Sequence, residues 1–177
     1  FCKTAKEEAA LNNPAHTQLA REMAAKSIVL LKNEKNILPL SKNTKTIAFI
    51  GPLVKAVKQN KGFWDVEVPG VDSNFIVSQW EGLQNKIAAG TTLLYAKGCE
   101  IEGDDKSGFA EAVEAAKKSD VVILSMGERR DMSGEAKSRS NIHFSGVQED
   151  LLKEIAKTGK PIILMINAGR PLVFDWA

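Results

Sequence analysis

Residues 120–126 have the sequence DVVILSM, and residues 127–140 continue it with GERRDMSGEAKSRS. A near-continuous apolar run is typical of a parallel strand that is covered on both faces. The segment that follows contains three carboxylates and four cations with almost no apolar residues, so it cannot belong to a core. Because open α/β sheets handle ligands at the carboxyl ends of their strands, we expect the chemistry of this protein in this loop.

The rest of the chain repeats the alternation of strand and helix. Further strands are predicted at residues 46–50, 91–96 and 162–166, each a short apolar run. Helices are predicted from about Pro14 to Leu31, around residues 80–87 with a stop at Gly90, from Ser107 as N-cap, and from the capping-box spacing at residues 145–148. This order predicts an α/β three-layer sandwich with a mainly parallel sheet and helices on both faces.

Domain organisation follows from the same pattern. Residues 1–13 are predicted to be a linker, and residues 14–177 a single α/β sandwich domain. The chain does not begin with Met and ends directly after a strand-like run, so we expect an internal piece of a longer protein. A bare fourth strand would leave an unpaired edge, so the sheet is expected to be truncated at its C-terminal edge.

Composition excludes several classes of function. A net charge of +2, from 24 basic and 22 acidic residues, offers no basic surface for nucleic acid. No apolar run approaches the roughly 20 residues that span a bilayer, so no membrane partner is predicted. The two cysteines, Cys2 and Cys99, have no metal or redox spacing, and no glycine-rich phosphate loop is present. We therefore predict neither a metal nor a cofactor.

An aromatic pair, Phe63 and Trp64, interrupts the otherwise polar loop predicted at residues 53–74. It could be a hydrophobic plug that holds the loop down, or a wall against which a ligand lies. The sequence leaves both alternatives open.

Several motifs in order resemble glycoside hydrolase family 3, in its second, α/β sandwich domain and in its bacterial β-glucosidase branch. The resemblance runs from about Pro14 to Ala177. It is carried by residues 19–34, LPL at 38–40, IAFIGPL at 47–53, YAKGC at 95–99, the charged loop at 127–139, GVQ at 146–148, GKP at 159–161 and NAGRPL at 167–172.

The resemblance implies hydrolysis of a β-glucoside or oligosaccharide with retention of configuration. In such enzymes a barrel-like N-terminal domain supplies an Asp nucleophile, and the α/β domain supplies a general acid/base Glu from a loop. Nothing in this chain matches the nucleophile motif, so the chain alone is expected to be inactive. The resemblance also implies a periplasmic or secreted location.

The family's acid/base position matches Glu135, with Glu128 in the same loop as the alternative. Asp131, Arg139 and Trp64 are the candidate substrate contacts, although Arg139 could instead hold the loop by an ion pair. Two other functions stay open: a non-catalytic carbohydrate-binding or interdomain packing module, and the same mechanism acting on xylosides or arabinosides.

Overall fold

The computed structural model describes residues 6, 10, 13–65, 76–175 and 177. It divides into two compact units, Phe1–Pro39 and Leu40–Ala177, which are treated separately. The predicted linker at residues 1–13 lies almost entirely outside the described residues and stays a prediction.

The first unit contains helix α1, Pro14–Ser27. Asn13 caps it, because its side chain accepts a hydrogen bond from the Ala15 amide, and Pro14 occupies the first turn. The helix ends at Ser27, since Ile28 is extended, so the predicted continuation to Leu31 is wrong. The β-branched pair at residues 28 and 29 favours an extended backbone, and the apolar spacing of residues 28–31 misled the prediction.

The second unit is built on four parallel strands in the order β2-β1-β3-β4. These are β1 Thr46–Ile50, β2 Thr92–Ala96, β3 Val121–Gly127 and β4 Ile162–Asn167. Each agrees with a predicted strand to within one residue at either end. The prediction holds because apolar runs of this length between turns have few other ways to be buried.

Helices cover both faces of the sheet. Helices α3 (Phe109–Lys117) and α4 (Gln148–Ala156) contribute to one cluster with alternate residues of β1 and β3. Helix α2, Gln79–Gln84, lies on the other face, where Trp80 packs edge-to-face on Tyr95 and Gln79 accepts a 2.6 Å hydrogen bond from Ser125. The predicted three-layer α/β sandwich is confirmed.

The core lies between the sheet and the pair α3 and α4. Fully buried strand residues pack in one cluster with Leu151 and Ile155 of α4; these strand residues include Ala48, Ile50, Val122, Leu124 and Met126. Fully burying a large aliphatic side chain contributes about 1.5–3 kcal/mol. This packing makes the sheet and α4 a firm base for the loops at the carboxyl edge.

In the second unit, three further predicted helix boundaries are wrong. Helix α2 ends at Gln84, ahead of the predicted stop at Gly90. Ser107 does not cap α3, because the helix starts after Gly108. The Ser107 hydroxyl donates to the Asp105 carboxylate instead. Residues 145–148 form no capping box, because α4 begins at Gln148 itself and that side chain is engaged elsewhere.

The predicted loop at residues 53–74 is described as far as residue 65 and contains a short 3-10 helix, Lys58–Lys61. Its first residues, Leu53 and Val54, are fully buried, which the absence of a clear period did not reveal. Residues 66–75 lie outside the described part. Among the residues that are described, no helix is long and apolar enough to cross a membrane.

Candidate active site at the carboxyl edge of the sheet

The strand order creates a switch point at the carboxyl edge of the sheet. The chain continues from β1 to β2 on one side and then places β3 on the other side of β1. Loops that leave adjacent strands in opposite directions open a crevice at this point, where open α/β sheets bind ligands. The loop after β3, residues 128–140, is called the β3 loop below.

A buried glutamine fixes the root of the β3 loop. Gln148, at the start of α4, is fully buried, and its Oε1 accepts from the Gly127 amide at 2.9 Å. Its Nε2 lies 2.9 Å from the carbonyl oxygen of Gly127 and 3.0 Å from that of Ile101. Because the pairing of β1 with β3 stops at Leu124, this side-chain amide takes the place of a neighbouring strand.

Glu128 is the first residue after β3 and is a buried ion-pair partner. Its side chain is only 2% exposed and lies between two arginines. Arg139 donates to Oε1 at 2.7 Å, and the Nε of Arg170 lies 3.2 and 3.3 Å from the two carboxylate oxygens. Separating a buried carboxylate from its cations leaves an uncompensated charge, which is costly. This cost keeps Arg139 and Arg170 in place beside Glu128.

Arg170 also binds the backbone of the β3 loop. Its Nη2 donates to the carbonyl oxygens of Met132 and of Lys137, the latter at 2.8 Å. The preceding residue, Gly169, lies so close to the loop that a Cβ there would be 1.9 Å from the Ser133 hydroxyl. The loop after β4 is thus packed directly against the β3 loop.

The loop after β1 supports the β3 loop from another side. The Arg130 amide donates to Gln59 at 2.7 Å, and its guanidinium pairs with Asp65. Phe63 packs on Gly134 so closely that a Cβ on this glycine would lie 2.3 Å from the ring. Of the aromatic pair, Phe63 therefore acts as the plug.

Trp64, the other aromatic residue, remains open to ligands. The residue is 71% exposed, and its ring meets that of Phe63 edge-to-face with centroids 5.1 Å apart. The face of an exposed indole is a surface on which a ligand can stack.

Glu135 stands on a tight turn in the β3 loop. The Lys137 amide bonds to the Gly134 carbonyl at 3.3 Å, and Ala136 has a positive φ of 57°. This geometry puts Glu135 at the second position of the turn, where its side chain is exposed. Within the described ranges, its carboxylate has no hydrogen bond or ion pair, in contrast to that of Glu128.

Asp131 and Arg129 form an exposed pair at the start of the β3 loop. The Nε of Arg129 donates to Asp131 at 2.9 Å, and this hydrogen bond holds the pKa of Asp131 below its usual value. Arg129 also pairs with Glu102 from the loop after β2.

Two clefts of about 310 and 290 Å³ share Glu102 in their walls. The first is bounded also by Arg129, Gln59 and Pro52, and the second by residues 136–139 of the β3 loop.

The structure thus divides the predicted residues into two groups. Glu135 and Trp64 are exposed, and Asp131 is exposed with Arg129 as its partner, whereas Glu128 and Arg139 are paired with each other. Sequence reasoning missed Gln148, Arg170 and Gln59. Arg170 lay within the quoted NAGRPL motif, but nothing in the sequence linked it to the charged loop. In the described part of the chain, no group of three His, Cys, Asp or Glu side chains could hold a metal ion.

Comparison with known proteins identifies the family. A model described as the glycosyl hydrolase family 3 C-terminal domain matches residues 28–177. A β-xylosidase of Formosa agariphila is 39% identical over 164 residues, which are 91% of this chain and 22% of that protein. A periplasmic β-glucosidase of Salmonella typhimurium is 38% identical over 177 residues, 89% of this chain and 23% of that protein.

A solved structure supports the fold. A β-glucosidase involved in saponin metabolism from intestinal bacteria has a TM-score of 0.87 at 23% identity, covering 97% of this chain and 27% of that one. The chain spans less than a quarter of the length of the two curated relatives. The family model and the two relatives confirm the resemblance seen in the motifs: the chain belongs to glycosyl hydrolase family 3, as its C-terminal domain.

Proposed function

We propose that this chain is part of a retaining β-glucosidase that removes terminal β-linked glucose, and that Glu135 is its general acid/base. Retention needs two carboxyl groups about 5–5.5 Å apart. One attacks the anomeric carbon. The other protonates the departing oxygen and then activates water. The observation that carries the proposal is an exposed, unengaged Glu135 on a loop whose other two carboxylates, those of Glu128 and Asp131, are paired with arginines.

Glu135 fits this role better than Glu128 does. An acid/base group must come within hydrogen-bond reach of the glycosidic oxygen. The Glu128 carboxylate is buried and occupied by two arginines, so it would have to leave both to meet a substrate. Glu135 needs no such rearrangement.

The second carboxylate is proposed to come from an N-terminal barrel domain of the same protein. The small share of the curated relatives that this chain covers supports this arrangement, since most of their length lies elsewhere. On this proposal the chain alone does not hydrolyse glucosides. A periplasmic or secreted location is proposed on the printed name of the Salmonella relative.

Three side chains are proposed to contact the sugar. Trp64 offers an exposed aromatic face, and Asp131 is a carboxylate that can accept hydrogen bonds from hydroxyl groups. Arg139 has donors beyond those it gives to Glu128 and to the His143 carbonyl. All three belong to the loops after β1 and β3, on either side of the switch point.

The test is the Glu135→Gln variant of the full-length protein. General acid/base assistance contributes about 10²–10⁴-fold, so kcat/KM for cellobiose should fall by that order. A dinitrophenyl glucoside should lose far less in the first step, because its leaving group departs without a proton. Azide should restore turnover of this substrate by Glu135→Ala, because it can attack the glycosyl-enzyme without a general base.

The matched control is Glu154→Gln on α4, which removes a carboxylate that is paired only at the surface with Lys157. This variant should keep both activities. Normal hydrolysis of cellobiose by Glu135→Gln would show that the assignment is wrong.

The sugar itself is tested in the same assay. The β-xylosidase and the β-glucosidase relatives differ by a single percentage point in identity to this chain, so xylosides are the competing substrate class. A higher kcat/KM for aryl β-xyloside or α-arabinoside than for β-glucoside would keep the mechanism and change the substrate.

A further inference from the structure

We propose that Arg170 is a positioning residue for the acid/base turn: it clamps the β3 loop so that Glu135 is held at a fixed place. This inference rests on the proposed function of Glu135. Arg170 itself is not expected to touch the substrate. It acts through the backbone that carries the acid.

The first argument is where the clamp is placed. Arg170 binds the carbonyls of Met132 and Lys137, so its two backbone contacts bracket the turn that carries Glu135. A guanidinium group has a planar, multidonor fork, which can hold several acceptors in fixed relative positions. A single side chain thus fixes both ends of this short segment.

The second argument is what holds the clamp. Arg170 is only 18% exposed, and its Nε lies against the buried carboxylate of Glu128. Glu128 also pairs with Arg139, and its amide donates to the Asn167 carbonyl at the end of β4. The loop is therefore tied at Met132, Lys137 and Arg139 to one cluster at the ends of two paired strands.

The third argument is the tight approach of the two loops. The backbone at Gly169 leaves no space for a side chain next to Ser133. This contact sets the position from which Arg170 reaches the β3 loop. Sites on rigid elements, supported by locked neighbours, hold their geometry better than sites on free loops.

The experiment compares leaving groups in the full-length protein. If Arg170 positions the acid, Arg170→Leu should lower kcat/KM for cellobiose by about 10²-fold, the effect of a small misplacement of a catalytic group. For a dinitrophenyl glucoside, whose departure needs no acid, kcat/KM should stay within about threefold. Arg170→Lys keeps the positive charge but lacks the planar fork of donors. Its kcat/KM for cellobiose should therefore lie between those of the unsubstituted protein and of Arg170→Leu. Lys117→Leu, which removes a cation from an exposed pair on α3, is the matched control.

A purely structural role predicts a different result. Both substrates would then lose activity in proportion, together with the melting temperature. The double variant Glu128→Gln with Arg170→Leu also removes the buried carboxylate charge, which in Arg170→Leu has lost one of its two arginines, but it does not restore the clamp. It should regain stability while keeping the selective loss on cellobiose, and it carries the test if Arg170→Leu does not fold.

The inference is overturned if the two substrates fall equally in these variants, or if neither falls. Glu135→Gln is measured in parallel. If that variant shows no selective loss, the proposed function fails; if it does and the Arg170 variants do not, only the role of Arg170 fails.

Discussion

Replacing Gln148 by leucine should weaken the fold at the root of the β3 loop. The variant keeps a side chain of similar volume in a fully buried position but removes an amide that contacts four backbone groups, three of them at 3.0 Å or less. These three are the amide and carbonyl of Gly127 and the carbonyl of Ile101. The two Gly127 groups lie at the end of β3, beyond the last residue that pairs with β1, and Ile101 lies in the loop after β2.

The size of the stability loss in Gln148→Leu follows from the backbone groups that lose their hydrogen-bond partner. A buried polar group without a partner costs about 1–3 kcal/mol. Three such groups, partly relieved by water and by small movements, give a loss of about 3 kcal/mol in the free energy of unfolding. A domain of this size is stable by about 5–15 kcal/mol, so the loss is substantial. At about 3 °C per kcal/mol, the melting temperature should fall by about 10 °C.

Thermal unfolding measures the fall, and hydrogen exchange at the Gly127 amide localises it. The control is Gln84→Leu, the same substitution at an exposed position of α2, which should change stability by no more than about 0.5 kcal/mol. The Gly127 amide should lose protection in Gln148→Leu alone. An unchanged melting temperature, with Gly127 still protected, would refute the claim that this amide substitutes for a strand.

Two further predictions concern the site and the core. Gly134→Ala should displace the acid/base turn, because the new methyl group meets the Phe63 ring, and should lower cellobiose hydrolysis by about 10-fold or more. The control is Gly103→Ala: Gly103 also has a positive φ, but a Cβ there would have no atom within 4 Å, so this variant should keep its activity. Equal losses of activity in the two variants would show that backbone strain alone is responsible. Burial raises the pKa of Cys99 to about 11, so in a Cys2→Ser background a disulfide reagent should label it only after unfolding at pH 8. Fast labelling of the native protein at pH 8 would contradict the burial of Cys99. The unfolded thiol ionises at lower pH than the folded one, so the contribution of this group to the free energy of unfolding falls as pH rises from about 9 toward 11.

The strands could be predicted because their signal is local. An apolar run such as residues 46–50, placed between polar turns, is informative without knowledge of its neighbours. Helix ends were predicted less well. At Ser107 and Ser145 the residue types for capping were present, but the hydroxyl of Ser107 bonds to Asp105 and Gln148 turns to Gly127. Capping depends on backbone geometry that a spacing rule does not contain.

The support of the site could not be predicted, since its contacts join distant residues. Arg170 meets Glu128 across 42 positions, Gln148 meets Gly127 across 21, and Gln59 meets Arg130 across 71. Only the sheet order brings these loops together, and strand order is not written in any single segment. The NAGRPL motif at residues 167–172 could be recognised in the sequence, but the contacts of its Arg170 with the β3 loop could not.

The charged loop shows why composition alone cannot assign roles to acids. Glu128, Asp131 and Glu135 stand within eight residues of one another and are chemically near-equivalent in the sequence. In the fold one is buried between arginines, one is paired at the surface, and one is unengaged on a turn. Of the two cations that follow Glu135 in the β3 loop, Arg139 is paired with Glu128 rather than with the exposed acid. Burial of one carboxylate as a structural anchor thus accompanies the exposure of another, and on the proposed function the two acids are linked through Arg170, which binds both Glu128 and the backbone on either side of Glu135.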